Sequence, residues 1–364
     1  MAAQNEVTPE EFANFIKRAS ANINKALWEY MSNERSDRNI KRLLGRGGFE
    51  YDSEAIQRSI IEPSWYLIEK GGKRIRPIIT LLVIEALGKD PMDYIEFSMI
   101  PEILHTATLV HDDIEDSSET RRGALSVYKK YGTDVALNLG DFLFFFPIKV
   151  LLDSKKLDEQ VKYRILKAHE KHMIRIGLGQ ATDIAWHRML TDIGKITEDN
   201  YMRVAFDKTG VLLSFAAELG AIIGGAEDAD VEKLGKFASM IGVAFQIEDD
   251  ILNITESELS DNKGGIGDDI QEGKVTLIVV HALNHSSKKD RARLIEILKA
   301  HTKSEIEIKE AISIMEKSGS VKYARKVGKS IVDDALLLLD KSLPDSKSKN
   351  MIRMLASTLI NRNV

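Results

Sequence analysis

Apolar residues recur three or four positions apart along nearly the whole chain, and the alternation of a half-buried strand is almost absent. This pattern predicts an N-terminal helix over about Pro9–Met31 and a second over about Ser53–Lys70. Between them, Asn33 to Ser53 is charged and irregular, carries Gly45, Gly47 and Gly48, and reads as a loop. Further breaks at Gly88–Asp93, Asp153–Asp158, Asp192–Asp199, Gly224–Asp230, Glu256–Gly273 and Ser286–Asp290 delimit roughly ten helices. No short-period repeat and no linker-like stretch divides them. The expected architecture is a single all-α domain over residues 1–364, in which residues 1–52 form an N-terminal helix and an irregular loop.

Composition narrows this picture. The chain has 364 residues, 43% of them hydrophobic, enough for a sizeable core. A net charge of −5 argues against nonspecific nucleic-acid binding. The absence of cysteine excludes disulfides, zinc–thiolate sites and a thiol nucleophile. The first residues, Met1 to Glu6, are polar and lack a signal-peptide core. The longest apolar runs, Pro77–Leu87 and Phe142–Leu152, are interrupted by Glu85 and by Pro147 and Lys149, so no transmembrane segment is expected and a cytoplasmic location is the default.

Two acidic clusters change the picture most: His111-Asp112-Asp113-Ile114-Glu115-Asp116 and Gln246-Ile247-Glu248-Asp249-Asp250. Each follows an apolar, helix-compatible stretch, where carboxylates are costly unless something positive compensates them. Mg²⁺, which binds one or two carboxylates plus substrate phosphates, is the natural compensation. Asp112 and Asp116 stand four apart and share one helix face. Two such walls would clamp a diphosphate through bridging metals.

Basic and small polar residues complement the acids. Gly71-Gly72-Lys73-Arg74-Ile75-Arg76-Pro77 sets three cations beside two glycines at a helix boundary, chemistry that suits a phosphate or diphosphate. Pro77 opens the following helix. Thr120-Arg121-Arg122-Gly123 follows the first acidic cluster in a loop; Gln180 and Asp183 share one helix face; Lys208-Thr209-Gly210 puts a cation and a hydroxyl beside a glycine. Asn262-Lys263-Gly264-Gly265-Ile266-Gly267-Asp268-Asp269, then Gly273-Lys274, form a glycine- and lysine-rich loop of the kind that closes over phosphates.

Taken in order, from about Pro63 to Ala282, these motifs resemble the trans-isoprenyl diphosphate synthases, the head-to-tail prenyltransferases that include geranylgeranyl and polyprenyl diphosphate synthases. The resemblance implies helices around a deep central cavity, usually in a homodimer. It also implies joining C1 of an allylic diphosphate (dimethylallyl, geranyl or farnesyl) to C4 of isopentenyl diphosphate, with release of diphosphate. By motif match, Asp112, Asp113, Asp116 and Asp249 would hold Mg²⁺, three ions per site, against the allylic diphosphate, with Asp250 nearby. Arg121, Lys208 and Lys263 would add charge on the same leaving group. Lys73, Arg76, His105 and Arg122 would hold isopentenyl diphosphate. Gln180, Thr209 and Gln246 match polar positions of the site. Where relatives often have a lysine beside an aspartate in the loop after the second motif, this chain has Gly267-Asp268; Lys263 or Lys274 then covers that role.

Three other readings compete. A His-Asp metallohydrolase would need further histidines arrayed around His111, and His169, His172, His187, His281, His285 and His301 lack that spacing. A terpene cyclase would normally replace Asp249-Asp250 by an Asn/Ser/Glu motif. A non-catalytic regulatory subunit would typically lose acids from one motif, and both are intact. Product length follows from the helix that carries Asp112, on which Thr108 lies one turn below it and Leu104 two, with Ala107 beside them. In the family an aromatic floor at the positions matching Ala107 or Thr108 gives short products. Both are small here, so the floor moves to the next bulky candidates, Phe144 and Phe145. That favours a C20 product, geranylgeranyl diphosphate, over longer polyprenyl chains. Trp28, Trp65 and Trp186 are assigned to packing.

Overall fold

Helix boundaries fall where the turn residues place them, because local side chains satisfy the first amides of each helix. The computed structural model describes residues 5–30, 50–255 and 266–360. Lys263, Met31 and most of the expected 33–53 loop lie outside the described residues. Helix α1 (Pro9–Tyr30) is followed by α2 (residues 53–68), which contains a π turn at Gln57–Ile61. Next come α3 (Ile75–Ala86), α4 (Ile95–Glu115), a two-stranded hairpin of β1 (Thr120–Arg121) and β2 (Ala124–Leu125), α5 (Val127–Tyr131), α6 (Thr133–Asp153) and α7 (Glu159–His187). Helix α8 (residues 198–224) has a second π turn at Phe206–Gly210, and α9 is Asp228–Ile254. The chain ends with α10 (Asp268–Gln271), α11 (Leu277–His285), α12 (Lys288–Ala300), α13 (Glu305–Lys317), α14 (Ser320–Ser342) and α15 (Lys347–Ile360). The expected all-α class holds.

The caps explain the starts. Asp158 accepts from the Val161 amide at 2.8 Å, Ser287 from Asp290 at 3.1 Å, and Thr276 from Val279 at 3.3 Å. Thr197 and Asn200 form a capping box at the head of α8.

Two apolar cores result. One joins α1–α4 and α6 to the early part of α7, the later part of α8, the first half of α9 and α15. The other joins the end of α7, the start of α8 and the second half of α9 to α11–α14. Helices α7, α8 and α9 run through both, as does α14, with Ala324 in the second core and Ala335 and Leu339 in the first. On α8 the change of core falls at the π turn, which holds Lys208 and Thr209; on α7 it falls between Ile176 and Trp186, which bracket Gln180 and Asp183. The polar residues thus sit where neither core claims the helix face. At the same level α8 and α9 touch backbone to backbone. A Cβ on Gly210 would meet the Ser239 carbonyl oxygen at 2.8 Å, and one on Gly242 would meet Gly210 Cα at 2.6 Å.

Helix α6 departs from expectation. Pro147 lies inside it without breaking it, and Thr133–Asp153 is long and apolar enough to cross a membrane, with mean hydropathy 1.8. The expectation that no segment reaches that length is therefore corrected. Within the protein α6 packs along α4, and 44% of its apolar window is buried in the bundle.

Candidate active site

Helix α4 carries two groups of opposite charge, one around His105 and one around Asp112, two turns apart.

The first group is cationic. Gly71 and Gly72 both have positive φ, as does Arg74, which turns the chain into α3. Arg74 is buried and serves structure. Its Nε donates to Asn24 Oδ1 at 3.0 Å, NH1 to Glu102 Oε1 at 2.6 Å, and NH2 to the Ile68 carbonyl at 2.9 Å. Arg76, the second residue of the helix, is half-buried, and its Nε has no partner among the described residues. Burial, with Arg122 adding to it against the pull of Glu102, lowers the Arg76 guanidinium to about 10. Lys73 is exposed at the rim. His105 is held well below its ordinary range, first by burial and then by Arg76, Arg122, Arg121 and Arg74, so it is neutral.

The expected loop after the first acidic cluster is a tight hairpin. Thr120 pairs with Leu125 and Arg121 with Ala124. The two linking residues, Arg122 and Gly123, have φ of 55° and 73°, as a type I′ turn requires. The turn sends the arginines apart. Arg121 grips Asp113 Oδ1 with Nε at 2.8 Å and NH2 at 2.5 Å, and Arg122 donates to the Leu67 carbonyl at 3.2 Å, close to Gly72.

The second group is acidic. Asp112 and Asp116 are half-buried on α4, whereas Asp113 is fully buried against Arg121. Lys208, from the π turn, donates to Asp183 Oδ2 at 2.6 Å and lies 3.9 Å from Asp112 Oδ1. Burial works against the Lys208 charge, but Asp112 and Asp183 outweigh it and hold its pKa above the ordinary value. Gln180 donates to Glu115 Oε2. On α9, Asp249 is half-buried and Asp250 buried. Gln246 Nε2 donates to Asp250 Oδ1 at 2.8 Å, Tyr201 to Asp250 Oδ2 at 2.7 Å, and Thr209 to Gln246 Oε1 at 2.7 Å. The α10 turn adds Asp269 and Lys274, the latter paired with Glu272 and 3.5 Å from Asp269. Asn253 holds this turn by accepting from the Asp269 amide.

Electrostatics shows strain in the acidic group. Burial raises Asp112, and burial with repulsion from Asp269 pushes Asp250 up to about 8. Asp269 is raised by burial despite Lys274, with Asp249 and Asp183 adding to it. Among the described residues no three such side chains close on one point. The donors are all oxygen, and the carboxylates stay raised despite Lys208 and Lys274, which fits a hard divalent cation whose remaining ligands come from phosphate and water.

The residues singled out for chain length separate. Ala107 is fully buried and Thr108 half-buried. The Phe144 ring lies 5.6 Å from that of His111, nearer the acidic group than a deep floor would be. Phe145 is 77% exposed, on the outer face of α6. Its expected place in the floor is corrected, because neighbouring residues on a helix point about 100° apart. Tyr201 and Glu102 escaped the sequence reading. Glu102 had a signal, an acid one turn before His105 within Ile100–Leu104; Tyr201 had none beyond lying seven residues before Lys208.

Comparisons agree with this geometry. The Polyprenyl synthetase family model matches residues 57–315. A short chain isoprenyl diphosphate synthase of Methanothermobacter thermautotrophicus is 36% identical over 310 residues, covering 85% of this chain and 92% of that protein. An octaprenyl diphosphate synthase of Haemophilus influenzae is 30% identical over 299 residues, covering 82% and 87%. The crystal structure of geranylgeranyl pyrophosphate synthetase from Pyrococcus horikoshii superposes with a TM-score of 0.82 at 30% identity, covering 97% of this chain and 99% of that one. With a family match across most of the chain and relatives alike over nearly their whole length, this chain belongs to the polyprenyl synthetase family and is an isoprenyl diphosphate synthase.

Proposed function

We propose that this synthase is a Mg²⁺-dependent homodimer that makes geranylgeranyl diphosphate from isopentenyl diphosphate and an allylic diphosphate. The observation that carries the reading is the charge reversal along α4, cationic around His105 and acidic around Asp112. The cationic group suits the diphosphate of isopentenyl diphosphate, held by Lys73, Arg76, His105 and Arg122. The orphaned Arg76 Nε supports this, since an anion's oxygen would satisfy it. The acidic group suits the allylic diphosphate, with Asp112, Asp116 and Asp249 holding Mg²⁺, three ions in all.

In this reading the C1–O bond of the allylic substrate breaks, C1 bonds to C4 of isopentenyl diphosphate, and a proton leaves C2. Bound Mg²⁺ supplies positive charge to the departing diphosphate. Lys208 donates to that leaving group from its place between Asp112 and Asp183, and Arg121 is held for the same purpose by Asp113. Lys274, buried beside Asp269 and Glu272, takes the place of the loop lysine found in relatives. The apolar walls below Asp112 exclude water from the allylic cation. The diphosphate released is itself a base able to take the final proton.

Small residues at Ala107 and Thr108 leave no aromatic floor one turn below Asp112, which supports a product longer than farnesyl, with Phe144 the side chain proposed to close the space. The outer faces of α6 and α7 support the dimer: Leu137, Phe145 and Leu152 on one and Ile174 and Leu178 on the other are exposed large apolar residues. Chromatography of products made from labelled isopentenyl diphosphate and farnesyl diphosphate tests the reading. A C20 main product is expected; chains well beyond C20 would overturn the assigned length.

A further inference from the structure

We infer that Tyr201 is a positioning residue for the second acidic wall, fixing Asp250 so that its neighbour Asp249 is presented to metal and diphosphate. The inference rests on the magnesium reading above. Tyr201 lies on the first turns of α8, is buried, and crosses to α9, where its hydroxyl donates to Asp250 Oδ2 at 2.7 Å. The other oxygen of Asp250 accepts from Gln246 Nε2 at 2.8 Å. The Gln246 amide is oriented in turn, because its oxygen accepts from Thr209 at 2.7 Å. Both Asp250 oxygens are therefore occupied and the side chain is buried, while Asp249 turns about 100° away on the same helix and stays half-exposed.

The arrangement is a chain of three side-chain bonds, two crossing between α8 and α9 and one, from Gln246 to Asp250, joining them along α9. Its far end, the Thr209 hydroxyl, lies in the π turn that also carries Lys208. It thereby ties the cation that approaches Asp112 to the helix that carries Asp249. Tyr201 touches no reacting atom in this account; it acts through Asp250, as partners behind metal ligands do. Removing its hydroxyl leaves a buried carboxylate oxygen without a donor and frees Asp250 to turn.

The test compares wild type with Tyr201→Phe, which keeps the ring and loses one oxygen. Binding of Mg²⁺ in the presence of inorganic diphosphate is measured by calorimetry, alongside steady-state kinetics and a thermal melt. Tyr201→Phe is expected to weaken Mg²⁺ about 10- to 100-fold and to lower kcat, with an unchanged KM for isopentenyl diphosphate. Tyr323→Phe, which removes a similar bond to Glu198 outside both charged groups, should change none of these. Asp250→Asn combined with Tyr201→Phe should lose no more Mg²⁺ affinity than the worse single variant, since both cut one linkage. Unchanged Mg²⁺ affinity in folded Tyr201→Phe, or losses that simply add, would overturn the inference. Should Tyr201→Phe fail to fold, Gln246→Met cuts the same chain of bonds, and an unchanged Mg²⁺ affinity there overturns it equally. Wild type that binds no Mg²⁺ with diphosphate would instead overturn the underlying reading.

Discussion

The pocket around His105 and the wall around Asp112 share one helix, and neither balances its charge. Around His105, Arg74, Arg76 and Arg122 meet Glu102 and a neutral imidazole, and Arg76 is lowered by burial and by its arginine neighbour. Around Asp112, the carboxylates of α4, α7, α9 and α10 meet Lys208 and Lys274, and Asp250 is raised to about 8. The pocket can take a bare diphosphate directly. The wall repels one unless divalent cations come with it. On the proposed assignment, the sign of the residual charge would tell the two substrates apart: the diphosphate that meets metal would be the one activated to leave, and the one that meets arginine would stay intact.

The largest effect should come from breaking the wall. Asp112→Ala or Asp249→Ala removes charge that matters most as the leaving group departs. Turnover should fall by at least about 10²- to 10³-fold, the range seen when one transition-state stabilising group is lost. The metal-free Asp112→Ala protein should melt no earlier, because burial raises Asp112 there despite Lys208. Near-normal turnover in either purified variant would sink the assignment.

Breaking the pocket should cost less and act on one substrate. Arg76→Ala should raise the KM for isopentenyl diphosphate about 10- to 100-fold, the worth of one charged hydrogen bond. The KM for the allylic substrate should not move. Equal effects on both would mean that the two regions do not divide the substrates as described.

Legibility in the sequence follows the same division. Helix class and several starts were readable because the breaks at Asp153–Asp158, Asp192–Asp199 and Ser286–Asp290 contain the capping residues Asp158, Thr197 and Ser287. The two walls were readable because Asp112 and Asp116 share a face whatever packs around them. What escaped was the facing of adjacent residues. Arg74 and Arg76 are two apart, yet one is locked to Glu102 by a left-handed backbone and the other is left for a ligand. Asp113, Asp250 and Phe145 were each grouped with a neighbour that points elsewhere. Such choices are set by the helix packed opposite, which no local pattern encodes.

Phe144 and Phe145 turn that facing into an experiment of moderate effect. Phe144→Ala should lengthen the main product by about one isoprene unit, since a helical turn and an extended unit both span about 5 Å. Ala107→Phe should shorten it. Phe145→Asp should leave chain length alone and weaken the proposed dimer, read as a lower mass by light scattering. A longer product from the Phe145 variant, or none from the Phe144 variant, would restore the floor to the outer residue or remove it from this helix.

The smallest effect lies in the pH dependence of the metal-free wall. Burial and Asp269 raise Asp250 from about 3.8 to about 8. Between those values the folded chain holds a proton that the unfolded chain has released. The folded state then binds more protons, so stability falls as pH rises. The contribution is complete below about pH 4 and is lost by about pH 8. Mg²⁺ with diphosphate favours the ionised carboxylate, so binding should expel that proton and stabilise more at pH 8.5 than at pH 6. Melting curves across that range, with and without Mg²⁺ and inorganic diphosphate, check both slopes. The pocket supplies the contrast: His105 stays neutral throughout, so Arg76→Ala should leave the metal-dependent slope intact. If that slope vanishes with Arg76 and persists in Asp250→Asn, the titrating group belongs to the pocket and not to the wall.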